Sequence, residues 1–344
     1  MGGGIGNRPA VSAPEPALDE FLIDAGLVQR GETTVWTPLA GGVSSDIWRV
    51  EAGDRSWCVK RALAQLKVAA DWEAPIERNA FEWDYMQVAS AIAPGHIPQP
   101  IAHDPARGLF AMAWLAPERH RLWKSEMLAG RVDRADAERV GDLLGRIHSA
   151  TARDSSLPAR FATDANFHAL RIDSYLTATA RAHTDLAPQI EYLSTQTAQT
   201  KRVLVHGDVS PKNILLGPDG PILLDAECAW FGDPAFDLAF CLNHLLIKRL
   251  VVKGAANELA ISFDALASSY LARVDWEAPA EVEARATSLL PVLALARVDG
   301  KSPVEYLDGS QQAHLRRAAR VAIQLRPANL GACAALIAKE SQDA

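Results

Sequence analysis

The stretch HGDVSPKNILL at residues 206–216 decides the fold class of this chain, and the run PILLD at residues 221–225 follows it closely. The intervening Gly-Pro-Asp-Gly segment at residues 217–220 predicts a tight turn between the two apolar runs. That turn folds the runs into a hairpin and returns Asp225 to the neighbourhood of Asp208. One β-rich piece therefore brings polar side chains from both of its ends together.

Asp208, Asn213 and Asp225 are the polar side chains that this hairpin gathers. Phosphoryl transfer requires a carboxylate that orients the attacking hydroxyl and accepts its proton, and oxygen ligands that hold magnesium against the phosphates. The five-residue separation of Asp208 and Asn213 matches the Asp-x4-Asn spacing of kinase catalytic loops. Each residue alone is explained as well by a turn, a strand-entry cap or a solvated strand end. Together they favour a catalytic Asp208 and magnesium ligands at Asn213 and Asp225.

The chain upstream of this hairpin alternates between strand and turn patterns. Residues 33–62 indicate three antiparallel strands, with alternating Trp and Val side chains that are half-buried. A helix is expected to open at Pro75 and to stop at Pro94. Two further strands, at residues 99–103 and 109–114, complete a five-stranded antiparallel sheet.

The rest of the chain is predicted to be helical, apart from the hairpin. Residues 133–151 place apolar side chains on one face at helical spacing. The same pattern recurs at residues 166–182, 235–253, 258–273, 280–298 and 311–338. The predicted fold class is therefore α+β, with an antiparallel β small lobe at residues 18–117 and a mainly helical large lobe at residues 118–344.

Composition and charge exclude several classes of protein. The formal charge of −7, from 35 basic and 42 acidic residues, gives no electrostatic reason to expect a nucleic-acid partner or an anionic membrane surface. The four cysteines are widely separated and read as reduced thiols: Cys58, Cys228, Cys241 and Cys333. Residues 1–17 are predicted to form a disordered tail without a signal peptide, and no long apolar span follows, which favours a cytoplasmic location.

At this point the sequence resembles the aminoglycoside phosphotransferase and choline kinase-like family, which includes methylthioribose kinases and has a bilobal protein-kinase-like fold. The resemblance rests on HGDVSPKNILL, on LLDAECAWFGDPAFDLA at residues 223–239 and on GRIHSA at residues 145–150. It covers nearly everything from Thr33 onward. It implies a nucleotide-binding small lobe, and a large lobe that carries catalysis and acceptor binding.

The resemblance also implies roles for individual residues. Asp208 would be the catalytic aspartate, Asn213 and Asp225 would bind magnesium, and Asp237 would be a buried aspartate that supports the catalytic loop. The sequence departs from the family pattern at Lys212, which would either reach a phosphate or point to solvent. It also has Ala-Glu after Asp225 in place of Phe-Gly, so the phenylalanine switch of regulated protein kinases is missing and constitutive activity is expected.

The nucleotide site is expected in the small lobe. Lys60, on the third strand, stands where the family places the lysine that contacts the ATP phosphates, and it needs a carboxylate partner. Glu82 is the preferred partner, with Glu77 as the alternative. Four small residues are expected to cover the phosphates: Gly41, Gly42, Ser44 and Ser45. The hinge that binds adenine is expected at Met112, Ala113 and Leu115.

Candidate acceptor contacts are fewer. Arg297 and Lys301 occupy a late helix end that carries substrate-facing arginines in the methylthioribose kinase branch, although charges at a helix end also suit the helix dipole. Glu227 and Trp230 follow the predicted magnesium strand. Trp230, with Phe231, would form an aromatic wall over the acceptor or belong to the core.

These patterns predict transfer of the γ-phosphate of ATP, with Mg²⁺, to a hydroxyl of a small sugar-like or other metabolite. An aminoglycoside antibiotic kinase is one alternative, but the late helices offer the basic residues Arg297, Lys301, Arg316 and Arg317 where a polycation needs acids. A protein kinase is disfavoured because no long activation loop follows Asp225. A non-catalytic nucleotide-binding regulator is the other alternative, against which the complete set of catalytic side chains argues.

Overall fold

A five-stranded antiparallel sheet forms the first part of the protein in the computed structural model, which describes residues 15–39, 45–63 and 77–339. Its strands are β1 (Val35–Pro38), β2 (Ser45–Ala52), β3 (Arg55–Ala62), β4 (Pro100–Asp104) and β5 (Leu109–Ala113). Their order across the sheet is β1-β2-β3-β5-β4, and every neighbouring pair is antiparallel. The predicted antiparallel small lobe is confirmed.

Two helices accompany this sheet. Helix α1 (Pro16–Asp24) buries Leu18, Phe21 and Leu22 in the same apolar cluster as Trp36 and Trp48 of the sheet. The predicted tail at residues 1–17 therefore extends two residues too far, since Pro16 already begins α1, while residues 1–14 lie outside the described part. Helix α2 (Arg78–Ile92) follows β3, and its predicted start at Pro75 also lies outside the described residues.

The second part of the protein is mainly helical, as predicted. Its helices are α3 (Trp123–Leu128), α4 (Arg134–Thr151), α5 (Leu157–Arg160), α6 (Asp164–Phe167), α7 (Ala178–Ala182), α8 (Ala187–Gln199), α9 (Pro234–Val251), α10 (Ala256–Leu271), α11 (Pro279–Asp299), α12 (Gly309–Leu325) and α13 (Leu330–Lys339). A π-helix (His168–Thr177) joins α6 to α7, and short 3₁₀ turns occur at Pro211–Asn213 and Lys253–Ala255. Within the described residues, no helix has the length and apolar character needed to cross a bilayer.

Short strands interrupt these helices where the decisive stretch lies. Strand β8 (Ile214–Gly217) pairs with β9 (Gly220–Leu223) as the predicted hairpin, and β6 (Arg121–Leu122) adds to its edge. Strand β7 (Val203–Val205) pairs with β10 (Trp230–Gly232), a strand that the sequence pattern did not predict. Residues 206–213 therefore connect the two small sheets, since they follow β7 and precede β8.

Two of the predicted helices differ from those observed. The single helix expected at residues 311–338 is divided into α12 and α13, because Arg326 adopts a left-handed conformation (φ 51°) and Pro327 follows it. The helix expected at residues 166–182 contains the π-helix in its middle. Helix α8 was not predicted; its apolar positions are few, and it buries only Ile190 and Thr197.

Helices α4 and α10 pack closely in the large lobe, and glycine makes the contact possible. A Cβ placed on Gly141 of α4 would overlap the backbone carbonyl of Leu266 in α10. Two helices can approach this closely only where one of them lacks a side chain. Helix α4 also carries His148 toward the site described below, so this contact helps to fix the position of that site.

We expect Gly141→Ala to destabilise the protein by about 1–3 kcal/mol, the usual range for overpacking, even though alanine favours a helix by about 1 kcal/mol. Gly309→Ala is the matched control, since a Cβ at Gly309 in the first turn of α12 meets no atom within 4 Å. Chemical denaturation of both variants measures the effect. Equal stabilities for the two variants would contradict this account of the α4–α10 contact.

Candidate active site

The carboxylate of Asp237 holds the backbone of the decisive stretch in place. Its two oxygens accept hydrogen bonds from the amides of His206 (2.7 Å) and Gly207 (2.8 Å). His148 of α4 lies 3.3 Å from the same carboxylate, and the other nitrogen of its ring lies 2.8 Å from the Tyr270 hydroxyl. All of these groups are buried, so few water molecules can replace them. The predicted buried position of Asp237 is what the structure shows.

Gly207 allows the sharp turn that follows strand β7. Its φ of +80° lies in the left-handed region, and a Cβ here would stand 2.6 Å from the carbonyl oxygen of Cys228. Only glycine meets both conditions without strain. The turn directs the next residue, Asp208, away from the sheet.

The side chain of Asp208 is surrounded by nitrogen donors. The amide nitrogen of Asn213 donates to its carboxylate at 2.8 Å, and both Lys212 Nζ and Arg171 Nη2 lie 3.1 Å from the same oxygen. The carboxylate raises the pKa of the Lys212 ammonium, which therefore stays charged. The sequence left two alternatives for Lys212, a phosphate contact or a solvated side chain. In the structure the side chain is half-exposed and its ammonium pairs with Asp208.

Arg171 is a site residue that the sequence analysis missed. It lies in the π-helix, where its Nε donates to the carbonyl oxygen of Gly207 and its guanidinium pairs with Asp208. Burial alone would lower the pKa of Arg171, but the charge of Asp208 raises it. Wide helical turns of this kind often occur at functional sites. The available signal was a basic residue between the apolar positions Leu170 and Ile172 of a predicted helix.

Lys60 lies between two carboxylates, one from each lobe. Its ammonium donates to Glu82 of α2 at 2.6 Å and also pairs with Asp225. Burial alone would lower the pKa of Lys60 and raise that of Asp225, but their mutual attraction outweighs burial and keeps both charged. Burial raises the pKa of Glu82 to about 7. The structure thus places the preferred partner, Glu82, on Lys60, while Glu77 is exposed.

Asp225 adopts a backbone conformation that is uncommon for an aspartate. Its φ of 67° lies in the left-handed region, which costs free energy for a residue with a side chain. The conformation turns the chain after β9 so that the carboxylate reaches Lys60. Strain of this kind persists when surrounding contacts fix the backbone, and it is concentrated at functional sites.

Glu227 occupies a second contact between the lobes. Its carboxylate pairs with Arg78 at the start of α2 at 3.0 Å, and both side chains are buried. The carbonyl oxygen of Glu227 also accepts a hydrogen bond from Asn166. The sequence suggested an acceptor contact at Glu227, but the structure gives this side chain a partner in the other lobe.

The small lobe places the other expected nucleotide contacts as follows. Ser45 begins β2 and is buried, whereas Gly41, Gly42 and Ser44 lie outside the described residues. Met112 and Ala113 end β5, and the Ala113 amide already donates to the carbonyl of Gln99. Among the described residues, the Leu115 amide has no backbone partner. Leu115 therefore offers the freer hydrogen-bonding group at the expected hinge.

Of the two alternatives for Trp230, an acceptor contact or a core position, the structure shows the core position. Its side chain is 1% exposed and stacks on Phe167 with ring centroids 4.0 Å apart, so it belongs to the core of the large lobe. Phe231 lies beside it in β10 and is also buried. Strand β10 was not predicted, and its pairing with β7 turns both rings inward.

Arg297 and Lys301 point to different surroundings. Arg297 of α11 donates to the Tyr175 hydroxyl at 3.1 Å and to the Ser302 hydroxyl at 2.9 Å. Tyr175 lies beside Arg171, so Arg297 belongs to the same region as Asp208. Lys301 is partly exposed and pairs with Asp173. Arg297 therefore lies near the candidate active site, whereas Lys301 forms a partly exposed ion pair.

Asn213 and Asp225 form a donor set that suits magnesium. Because the Asn213 amide nitrogen donates to Asp208, its carboxamide oxygen remains for a metal ion. Mg²⁺ prefers hard oxygen ligands and is commonly held by one or two protein groups together with phosphates and water. Among the described residues there is no cluster of three or more His, Cys, Asp or Glu side chains that would favour a different metal.

An antiparallel sheet lobe, a helical lobe and a polar loop between them define a bilobal protein of the protein-kinase-like class. Within that class, the chain belongs to the phosphotransferase enzyme family, whose sequence model matches residues 35–281. The family resemblance seen in the sequence is confirmed.

Known proteins agree with this assignment at low identity. Methylthioribose kinase 2 of Oryza sativa subsp. japonica is 22% identical over 231 residues, which cover 59% of this chain and 54% of that protein. The chain therefore spans about half the length of this curated relative. A choline/ethanolamine kinase family protein from Mesorhizobium loti has a TM-score of 0.50 at 17% identity and covers 93% of this chain and 94% of its own. An amicoumacin kinase in complex with AMP-PNP has a TM-score of 0.55 at 14% identity, covering 86% of this chain and 90% of its own.

We expect Asp237→Asn to lower the free energy of unfolding by about 1–3 kcal/mol, because an amide cannot accept at both positions and leaves a buried donor poorly paired. Asp219→Asn is the matched control, since Asp219 lies exposed in the β8–β9 turn. Urea denaturation of both variants measures the difference. If Asp237→Asn unfolds at the same midpoint as the control, the anchoring role given to Asp237 is incorrect.

Proposed function

We propose that this phosphotransferase moves the γ-phosphate of ATP to a hydroxyl group of a small molecule. The observation that carries the proposal is the hydrogen bond that joins Asp208 to Asn213, on the hairpin whose far end, Asp225, pairs with Lys60 of the small lobe. The family to which the chain belongs supports it. The names of its relatives, which include methylthioribose kinases and a choline/ethanolamine kinase family protein, point to small-molecule acceptors.

Asp208 has the surroundings that a proton acceptor needs. Its carboxylate lies 3.1 Å from both Arg171 Nη2 and Lys212 Nζ, and Asn213 fixes its orientation through a hydrogen bond. An acceptor hydroxyl that approaches this carboxylate would donate its proton to it as the oxygen attacks the phosphorus atom. Positioning and charge therefore account for the rate, without a covalent intermediate on the protein.

Lys60 is the proposed phosphate clamp. In the structure its ammonium is shared by Glu82 and Asp225, which keeps it charged and fixed in the cleft. A magnesium ion on Asn213 and Asp225, when bound, would neutralise phosphate charge during transfer. Asn213 and Asp225 would hold that ion, and Lys60 would supply a positive charge to the phosphates.

The identity of the acceptor distinguishes a metabolite kinase from an aminoglycoside kinase and from a non-catalytic regulator. A screen that measures ADP release with hydroxylated metabolites, aminoglycosides and choline covers the three acceptor classes in one assay. Turnover with a hydroxylated metabolite supports the proposal, and turnover confined to aminoglycosides supports the antibiotic alternative. ATP binding without turnover of any acceptor would favour the regulator.

We expect ATP with Mg²⁺, at a concentration 100 times Kd, to stabilise the protein by about 2.7 kcal/mol, and the same concentration of ATP to stabilise it less without Mg²⁺. Asp225→Asn should reduce the increment that depends on magnesium, since it removes a charged oxygen ligand. Asp219→Asn should leave it unchanged. Thermal unfolding with ATP, with and without Mg²⁺, measures the increment, and an identical increment in Asp225→Asn would remove Asp225 from the metal site.

We expect Asp208→Asn to lower turnover by about 10²- to 10⁴-fold, the usual contribution of a positioned acid or base, while ATP affinity stays within the range of the wild type. Turnover should be measured below the unfolding midpoint of the variant, because Arg171 loses part of its charge compensation. Near-normal turnover in Asp208→Asn, with the acceptor that the screen identifies, would show that another residue accepts the proton.

A further inference from the structure

The large lobe holds more positive charge beside Asp208 than its carboxylates balance. Five basic side chains form what we call the cationic cluster: Lys124, Arg171, Lys212, Lys248 and Arg297. Within the described residues, the ion pairs of this cluster involve two carboxylates, those of Asp208 and Glu305. The Glu305 side chain is 68% exposed, so water weakens its charge. An excess of positive charge therefore remains.

Aromatic side chains connect the cationic cluster to the catalytic aspartate. The guanidinium of Arg171, which pairs with Asp208, lies 5.9 Å from the ring centroid of Tyr175. Arg297 lies 5.7 Å from the same centroid and donates to the Tyr175 hydroxyl. The Nε of Arg297 is buried and has no hydrogen-bond partner among the described residues. Contacts through Arg171 and Tyr175 therefore connect Asp208 to Arg297, whose Nε lacks a hydrogen-bond partner among the described residues.

Lys248 is the most deeply buried member of the cluster. Its side chain lies on α9, is 1% exposed and has no carboxylate partner among the described residues. Its ammonium lies 3.4 Å from the Tyr306 hydroxyl and 5.3 Å from the ring centroid, and Lys124 lies 5.7 Å from that same ring. Burial lowers the pKa of Lys248 to about 7, with Lys124 and Arg297 adding to the effect. The charged form of Lys248 is therefore unfavourable without a counter-ion, and a bound anion would stabilise that form.

His244 is a buried imidazole next to the cationic cluster. It lies one turn before Lys248 on α9, and its ring centroid is 5.4 Å from that of Phe240, which also contacts Arg171. Burial lowers the pKa of His244 well below its usual value, and the charges of Lys248, Arg297, Lys212 and Lys124 lower it further. Four cations from four separate segments thus act on one buried, neutral imidazole.

We propose that the acceptor of this phosphotransferase carries an anionic group, a carboxylate or a phosphate, and that Lys248 and Arg297 bind this group while the acceptor hydroxyl faces Asp208. The inference rests on the proposed function, which supplies the hydroxyl and the ATP. The cluster is separate from the phosphate clamp, because all of its members belong to the large lobe and Lys60 has its own carboxylates. Polycationic acceptors and choline would be repelled by this charge.

A matched series of acceptors tests the charge directly. We suggest a polyol, the aldonate and the polyol phosphate of the same chain length, together with the corresponding amino polyol. An anionic member should have kcat/KM about 10- to 100-fold above that of the neutral polyol, the range expected for a hydrogen bond to a charged group. The two anionic members distinguish carboxylate from phosphate. An equal or higher kcat/KM for the neutral or the amino member would overturn the proposal.

Variants of the cluster test the residues. Lys248→Met and Arg297→Gln should raise KM for the anionic acceptor about 10- to 100-fold and leave KM for ATP unchanged. Arg297→Lys should restore part of the loss. Arg249→Gln is the matched control, since Arg249 is the next residue on α9 and lies among residues of α10 and α13 instead. Lys248→Met should also unfold at or above the wild-type midpoint, because an unpaired buried charge is removed. A lower midpoint, with equal losses for all acceptors, would assign Lys248 a structural role.

Binding of inorganic phosphate without nucleotide separates this proposal from the proposed function. Calorimetric titration should show phosphate binding that weakens in Lys248→Met and Arg297→Gln and persists in Arg249→Gln. If that pattern appears but no acceptor is phosphorylated, the anion site stands and the proposed phosphotransfer is wrong. If acceptors are phosphorylated while phosphate binds equally to all four proteins, or to none, the anion site is wrong and the phosphotransfer stands.

Discussion

The candidate active site depends on the carboxylate of Asp237, which has no part in the proposed chemistry but holds the backbone in place. Asp237 accepts hydrogen bonds from two consecutive backbone amides, those of His206 and Gly207, at the point where strand β7 ends. A buried carboxylate needs such donors, and buried amides need such an acceptor, so each stabilises the other. These two hydrogen bonds tie the start of the loop to helix α9. Asp208 and Asn213 are therefore positioned before any ligand arrives, which is the condition for catalysis by positioning.

Two ion pairs connect the small lobe to the large lobe next to this loop. Lys60 of the sheet contacts the partly exposed Asp225, and Arg78 of α2 contacts the buried Glu227, so two ion pairs connect the lobes within three residues of the large lobe. Buried pairs are weak evidence for stability, because desolvation offsets much of their attraction, but they fix geometry well. The strained backbone of Asp225 fits this view. The lobes therefore meet through charged side chains at the end of the hairpin that carries Asn213.

Two sets of basic residues in the large lobe differ in their partners. Lys301, which follows α11, and Arg316 of α12 pair with Asp173 and Asp299, and both basic side chains are partly exposed. Lys248 and Arg297 are enclosed by aromatic side chains instead and have no carboxylate among the described residues. Nearly equal numbers of acidic and basic residues in the whole chain hide this difference. Local imbalance of charge, and not net charge, is the property that selects a ligand.

The sequence alone determined the features that depend on short spacings. The Asp-x4-Asn separation, the hairpin turn that returns Asp225, the five strands of the small lobe and the preference for Glu82 follow from local periodicity and turn chemistry. Only the tertiary structure decided that Trp230 lies in the core, that Glu227 pairs with Arg78, and that Arg171 and Lys212 share Asp208. The physical reason is that each of these side chains is defined by a partner distant in sequence or by an unpredicted strand. A basic residue in a helical pattern looks the same whether it is solvated or buried, and packing alone reveals that Lys248 lacks a counter-ion among the described residues.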